Sequence, residues 1–286
     1  MYYTKQSPFL KDVVSDQYAF FWEVYTGKYV LSHVTAGGRS SGRPAMITCR
    51  IRGKRFYAPF RRSPVLHRLF GNLSGDKSML DFASTYGFLD YSQCDFSGPA
   101  GNPPGYRVVY EPLEKWRREI RVMKSHLARW DFIRSGSEMA LGRVIDWRED
   151  GVHFTLGGQS DLIAARDTQL YDRWLRQGKP LREPALHYTY NFINSRIYGG
   201  VSPRALPAYS HGVYLTPDNL LTAMWVMFMW EVIGETRPHY CSSCGGWFDP
   251  RRSTRQTCGD RCRKRLSRAR QKLLASAENE GNQEGR

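Results

Sequence analysis

The most regular alternation of apolar and polar positions lies between residues 113 and 130. Apolar side chains recur there at spacings of three and four residues, which predicts one face of an α-helix. The members of this apolar stripe are Leu113, Trp116, Ile120, Met123, Leu127 and Trp130. Because the stripe spans fewer than three heptads, it favours a packed core helix over an autonomous coiled coil. A homodimer formed through the stripe stays open as an alternative.

A second apolar segment, residues 216–234, predicts a helix that is buried around nearly its whole circumference. Its large side chains point in most directions around a helix axis; they are Met224, Trp225, Met227, Phe228 and Trp230. Thr216 suits the N-cap of this helix, and Pro217 suits its first turn. Shorter helices are predicted over residues 64–70, 76–88, 170–176 and 184–197.

Two stretches have the pattern of β-hairpins. In the first, Arg52 to Lys54 form a turn between strands at residues 46–51 and 55–58. In the second, the Asp150-Gly151 turn joins strands at residues 144–147 and 152–156, and Asp-Gly is a strong hairpin signal. Helices and hairpins together predict an α+β fold. We expect a mixed helical body over residues 1–235, built as one unit or as two halves that meet near residues 98–110.

The strongest chemical signal is a cysteine pattern near the C-terminal end of the sequence. Four cysteines follow the order C-x2-C, thirteen residues, C-x3-C; they are Cys241, Cys244, Cys258 and Cys262. Four thiolates suit tetrahedral Zn²⁺, and a helix that begins near Asp260 would bring the second pair together. The spacing predicts one structural zinc ion. Two disulfides, or His239 in place of one cysteine, are the alternatives.

Positive charge is concentrated around these cysteines. The chain carries a formal charge of +15, and residues 237–272 hold eleven basic and two acidic residues, a net of +9. Such a cluster favours a polyanionic partner, most simply nucleic acid, although a solvated basic surface is the alternative. The candidate contacts are Arg251, Arg252, Arg255, Arg261, Arg263, Lys264, Arg265, Arg268, Arg270 and Lys272. No large apolar face accompanies the charge, so a membrane partner is not expected.

The cysteines and the cations together predict a small module over residues 236–274, which we call the finger. A helix over residues 260–274 would place Cys262 and Leu266 on one face and most cations on the other. We expect the polar residues 275–286 to be disordered.

These residues resemble a group of bacterial proteins with a C-terminal zinc finger of the form C-x2-C-x3-F…C-x3-C-R, followed by an arginine-rich helix. The matching positions are Cys241, Cys244, Phe248, Cys258, Cys262 and Arg263. Residues 66–89 and 111–130 look like the body of uncharacterised bacterial proteins that carry such a finger. The finger is also similar to CGNR-type zinc fingers, which are presumed DNA-binding modules of bacterial regulators. Here Arg263-Lys264-Arg265 replaces Gly-Asn-Arg after the last cysteine, and the last cysteine spacing is one residue shorter.

Motifs of common enzyme classes are missing from the sequence. It contains no Walker A loop, no G-x-S-x-G elbow and no H-E-x-x-H motif. His153, His187 and His211 are scattered, although Asp161 or Asp167 would pair with His187 if the fold brought them together. Four cysteine ligands would also leave a zinc ion no open position for a catalytic water.

The sequence therefore predicts a zinc-dependent nucleic-acid-binding protein. Within that class it favours a bacterial DNA-binding transcriptional regulator whose body senses a signal or dimerises. The alternatives are an RNA- or ribosome-associated protein, and an enzyme whose finger recruits nucleic acid. Clustered cysteines at metal spacing and the absence of a signal-like apolar segment indicate the cytoplasm, at the nucleoid if the partner is DNA.

Overall fold

The computed structural model describes residues 20–33, 45–90, 108–156, 159–205, 213–234, 238–248, 255–269 and 271. Its strands are β1 (Trp22–Thr26), β2 (Tyr29–His33), β3 (Ala45–Arg50), β4 (Gly53–Tyr57), β5 (Val108–Pro112), β6 (Ile145–Trp147), β7 (Gly151–Leu156), β8 (Gln159–Ala165), β9 (Val201–Ala205), β10 (Val213–Pro217), β11 (His239–Tyr240) and β12 (Trp247–Phe248). Its helices are α1 (Pro59–Arg62), α2 (Leu66–Gly71), α3 (Gly75–Tyr86), α4 (Leu113–Ser135), α5 (Glu138–Leu141), α6 (Gln169–Arg176), α7 (Arg182–Ile197), α8 (Leu220–Val232) and α9 (residues 260–269). The predicted α+β class is confirmed.

The first predicted hairpin is wrong in its pairing, although both of its strands exist. Strands β3 and β4 do not pair with each other. Instead β1 pairs with β4 and β2 pairs with β3, all antiparallel, while β5 lies on the other side of β3. The chain bends where Gly27 passes Arg50, since a Cβ at Gly27 would lie 2.1 Å from the Arg50 carbonyl oxygen. The Arg52 N–H donates to the Thr26 carbonyl across this bend (2.8 Å). Strands β1 and β2 thus form one arm of a long antiparallel hairpin, and β3 and β4 form the other. The predicted turn at Arg52 is a bend within the second arm.

The second predicted hairpin is confirmed. Strands β6 and β7 pair antiparallel around the Asp150-Gly151 turn, and Ile145 lies opposite Phe154. A third strand, β8, extends the sheet on the far side of β7. Neither β8 nor the β9–β10 pair follows from the hydrophobic pattern, because these strands mix polar and apolar residues without strict alternation.

The apolar stripe is confirmed as the core face of α4. All six of its side chains are buried, and the helix continues five residues beyond Trp130 to Ser135. The helix ends at Gly136, which adopts the left-handed conformation that glycine tolerates best. Helices α2 and α7 pack against α4. The stripe is therefore covered by contacts within the chain, and a homodimer would need another surface.

Helix α8 is buried as predicted but begins four residues later than expected. Thr216 and Pro217 belong to strand β10, so they neither cap nor start the helix. Asn219 caps it instead, because its side-chain oxygen accepts a hydrogen bond from the Thr222 N–H at 2.8 Å. Helices α2, α3, α6 and α7 lie within two residues of their predicted bounds.

A buried ionic network centred on Arg68 joins three helices. Arg68 of α2 donates to Glu231 of α8 through Nε (2.9 Å) and to Asp131 of α4 through both terminal nitrogens (2.6 and 2.7 Å). Burial lowers the pKa of His67 despite the neighbouring Glu231 carboxylate, so the neutral imidazole donates its Nε2 proton to Glu231 at 2.8 Å. Because a buried charge is costly unless it is paired, the network sets the mutual positions of α2, α4 and α8.

Buried apolar side chains from both sides of residues 98–110 belong to one hydrophobic cluster, which runs from Phe20 to Val232. Residues 91–107 lie outside the described residues, so the division of the chain into domains stays a prediction. Among the described residues, none of the helices combines the length and the apolar character that a membrane span requires.

We expect Trp116→Ala to reduce the free energy of unfolding by about 3–5 kcal/mol and Met123→Ala by about 2–5 kcal/mol, because both substitutions leave cavities in a packed core. Met139→Ala is the control, since that side chain is 76% exposed. Urea denaturation followed by circular dichroism measures all three. Wild-type stability in the two core variants would contradict the packing described for α4.

Candidate metal centre and basic helix

Four cysteine sulfurs meet at one point of the finger. The Sγ atoms of Cys241, Cys244, Cys258 and Cys262 all lie within 4.8 Å of one another. Cys258 Sγ is 3.7 Å from Cys244 Sγ and 3.5 Å from Cys262 Sγ. Four sulfurs bound tetrahedrally at about 2.3 Å from a metal would be separated by about 3.8 Å. The cluster can therefore hold a metal ion, and His239 is not one of its members.

The first cysteine pair is held by a short hairpin. Strands β11 and β12 pair so that Tyr240 lies opposite Trp247. Between them the Cys241 N–H donates to the Gly246 carbonyl (2.9 Å), and the Gly245 N–H donates back to the Cys241 carbonyl (2.9 Å). Gly245 has a φ of 69°, which larger side chains rarely tolerate. The sequence C-x2-C-G-G thus folds its two sulfurs inward because glycine permits the tight turn.

The second cysteine pair arrives from the other side of the hairpin. The Ser242 N–H and hydroxyl both donate to the Gln256 carbonyl at 3.1 Å, which ties the segment before Cys258 to the first turn. The Cys258 N–H points at Cys241 Sγ at 3.4 Å. Helix α9 begins at Asp260, as predicted, so Cys262 lies in its first turn and close to Cys258.

Electrostatics within the cluster favour a bound cation. Burial opposes ionisation of Cys241, but backbone N–H groups of Cys258, Ser243 and Cys244 outweigh it and lower the pKa of Cys241 to about 6. Burial and the neighbouring sulfurs raise the pKa of Cys258 to about 12. A hydrogen bond with Cys258 lowers the pKa of Cys262, but the other sulfurs outweigh it and leave that pKa raised. Four thiolates repel one another in this space, and a cation would remove that repulsion.

Arg255 lies inside the finger, beside Phe248. Its guanidinium donates to the carbonyl oxygens of Thr257 (2.9 Å) and Cys258 (2.8 Å) and lies 5.7 Å above the ring of Phe248. Phe248 is buried, and the His239 ring meets its edge. Arg255 therefore braces the segment that carries Cys258, and any contact with nucleic acid would come on top of that structural task.

Five of the predicted nucleic-acid contacts are exposed on α9. Four of them follow the spacing i, i+3, i+4, i+7, which places them on one side of the helix. We call this set the basic stripe: Arg261, Lys264, Arg265 and Arg268. The fifth, Arg263, lies off the stripe and forms an ion pair with Asp260 at 3.1 Å. The remaining predicted contacts, Arg251, Arg252, Arg270 and Lys272, fall outside the residues whose side chains are described.

The finger touches the body through a contact that the sequence did not indicate. The guanidinium of Arg68 lies 4.4 Å from the ring centre of Trp247 in β12. These residues are 179 positions apart, and neither lies in a pattern that would connect them. The only local signal was a charged residue within the otherwise apolar segment of α2.

The histidines of the body remain dispersed. His153 of β7 is buried, and it contacts Asp150 (3.0 Å) and Ser160 (3.4 Å). His187 contacts the Asn191 amide at 2.9 Å. Asp161 accepts a hydrogen bond from the Tyr188 hydroxyl at 2.6 Å, so the suggested pairing of Asp161 with His187 is not seen. His211 lies outside the described residues.

No protein-family model matches the chain, and no curated protein or solved structure shows significant similarity to it. The resemblance to bacterial finger proteins therefore stays an expectation. The features that bear on function are the cysteine cluster, the basic stripe and the contact between finger and body.

We expect Cys258→Ser and Cys262→Ser to lower metal content from one ion per chain to well below one, because each removes a quarter of the donor set. Cys49→Ala is the control, since Cys49 is buried in β3 and is not one of the four clustered cysteines. Elemental analysis of the purified proteins measures the ratio. Full metal retention in both serine variants would exclude the cluster as the binding site.

We also expect the bound metal to be released on acidification. Metal binding requires deprotonated sulfurs, and the high pKa of Cys258 means that binding displaces protons at neutral pH. Metal affinity should therefore fall as the pH falls, with more than one proton taken up for each ion released. A chromogenic metal indicator, read across about pH 7.5 to pH 4.5, follows the release. Affinity that is independent of pH would mean that the ligands are not thiols.

Proposed function

We propose that the four-cysteine cluster binds one Zn²⁺ ion and that this ion has a structural role. Sulfur donors in a tetrahedral array favour zinc over the hard cations Ca²⁺ and Mg²⁺, which prefer oxygen. Four protein ligands fill the coordination sphere, so zinc would supply folding energy and would leave no site for an activated water. The ion would join β11, β12 and the start of α9.

We propose further that the finger binds nucleic acid through the basic stripe. The observation that carries this proposal is that four cations lie exposed along one side of a helix whose first turn holds a metal ligand. Like charges at helical spacings repel one another, so this arrangement is unfavourable unless an anion partner is present. Arginine and lysine at such spacings suit the phosphates of a nucleic acid.

The finger favours a duplex over a single strand. Proteins that bind single strands without sequence preference stack bases on aromatic side chains. Two of the finger's rings are already engaged, because Trp247 contacts Arg68 and Phe248 is buried beneath Arg255. A rigid row of cations instead matches the regular phosphate spacing of a double helix. Duplex DNA is therefore the partner we propose, and structured RNA is the outcome to be tested against it.

A DNA-binding transcriptional regulator is the cellular role that we propose on this basis. The body has a continuous hydrophobic core and holds the finger at one site through Arg68. In such a protein the body would sense a signal or dimerise, and the finger would supply contacts with DNA.

The test compares two triple variants that remove the same charge. The first variant, the stripe variant, replaces Arg261, Arg265 and Arg268 by alanine. The second variant, the α4 variant, replaces Arg117, Arg118 and Arg121, all exposed on α4, and is the control for net charge. Fluorescence anisotropy with a 20-bp DNA duplex gives affinity as a function of salt.

We expect the stripe variant to flatten the log–log salt dependence by about two to three units, since each phosphate contact contributes about −0.9. The α4 variant should retain the wild-type slope, and both should retain their metal. An equal change of the salt slope in the two variants would mean that net charge alone, and not the position of the stripe, determines binding. Tighter binding to structured RNA of the same length than to the DNA duplex would identify RNA, and not DNA, as the partner.

A further inference from the structure

Arg68 is shared between the body and the finger. All three of its guanidinium nitrogens donate to carboxylates of the body, namely Glu231 and Asp131. Its guanidinium carbon also lies over the ring of Trp247, 4.4 Å from the ring centre. Arg68 is 1% exposed, so its side of this cation–π contact is shielded from water. Cation–π contacts are stronger in such surroundings than on an open surface.

The other side of the contact depends on the metal cluster. Trp247 follows Gly246, whose carbonyl accepts the hydrogen bond from the Cys241 N–H. The ring is therefore carried by the same turn that holds Cys241 and Cys244. If the cluster lost its metal, the four sulfurs would no longer be bound to one ion, so this turn would loosen and the ring would no longer be held over Arg68.

We propose that Arg68 is a positioning residue that docks the finger on the body, so that metal binding and body stability are coupled. Docking also fixes the direction in which the basic stripe faces relative to the body. The first consequence rests on the proposed metal site, and the second rests also on the proposed nucleic-acid function. Since coupling between two sites is reciprocal, a change on either side must be felt on the other.

The coupling is tested by thermal unfolding of the full-length chain with metal bound and after removal with a chelator under reducing conditions. In the wild type, metal removal should lower the melting temperature of the body by about 2–4 °C, the size expected for one such contact in a domain of this length. Trp247→Ala should lower the melting temperature of the metal-bound protein by a similar amount. Metal removal should then have little further effect, because the contact is already lost.

Tyr198→Ala is the matched control, since it also removes an aromatic ring but at a position that is 90% exposed on the body. This variant should retain the full decrease on metal removal. Arg68→Lys tests the other partner, because lysine keeps a positive charge beside Glu231 but lacks the planar group that stacks on Trp247. It too should lose the effect of metal removal, although its finger sequence is unchanged.

Two results would overturn the proposal: an unchanged melting temperature of the wild type after metal removal, or a full decrease that persists in Trp247→Ala. Metal content is measured in each variant. If Trp247→Ala failed to retain its metal, the melting temperatures of Arg68→Lys with and without metal would decide the question. A full decrease on metal removal in Arg68→Lys would then contradict the proposal.

The orientation of the stripe gives a second measurement. On a 20-bp DNA duplex, Trp247→Ala should bind roughly fivefold more weakly than the wild type. Its salt slope should be unchanged, because the same phosphates are contacted. A flattened slope would instead mean that Trp247 belongs to the contact surface. If the wild type does not bind nucleic acid at all, the proposed function fails, while the coupling between metal and body stability is decided by the melting temperatures.

Discussion

The pairing of Arg68 with Glu231 is the interaction on which the rest of the structure depends. Both groups are buried, and removing one partner would leave an uncompensated charge, which typically costs about 3–5 kcal/mol. Burial would raise the pKa of Glu231, but Arg68 and His67 outweigh it and lower that pKa to about 2. Glu231 is therefore ionised wherever the protein is folded near neutral pH. Its stabilising contribution is complete above its ordinary pKa and is lost only as the pH falls towards 2.

A second buried carboxylate shows what the Arg68 network adds. Glu111 accepts hydrogen bonds from the Leu89 and Asp90 N–H groups and from Trp116, and Lys115 is its cationic partner. Burial nevertheless raises the pKa of Glu111. The hydrogen bonds and the single lysine around Glu111 therefore do not offset the effect of burial on its pKa, whereas the buried guanidinium of Arg68 does so for Glu231. The cysteine cluster would follow the same rule, since crowded thiolates are stabilised by a central cation.

Sequence patterns predicted those parts of the fold that depend on near neighbours. The stripe of α4, the Asp150-Gly151 hairpin and the meeting of four cysteines each follow from spacing along the chain. Long-range geometry decided the rest. Gly27 lies against the Arg50 carbonyl, more than twenty residues away, where the pairing changes from β1–β4 to β2–β3, and Trp247 meets Arg68 across 179 positions. Such contacts depend on how whole elements pack, which local periodicity does not encode.

Helix α9 is unfavourable by its own sequence, and both the proposed metal ion and the proposed polyanionic partner would stabilise it. Arg261, Arg263 and Lys264 lie in its first turns, where the positive end of the helix dipole repels them. Asp260 offsets part of this through its ion pair with Arg263. A metal ion bound at Cys262 would offset the remaining cost by anchoring the start of the helix. An anchor explains why the helix forms, but it does not explain why four cations lie on one side. The proposed nucleic-acid partner would account for that arrangement, because a row of phosphates would turn the repulsion within the stripe into attraction.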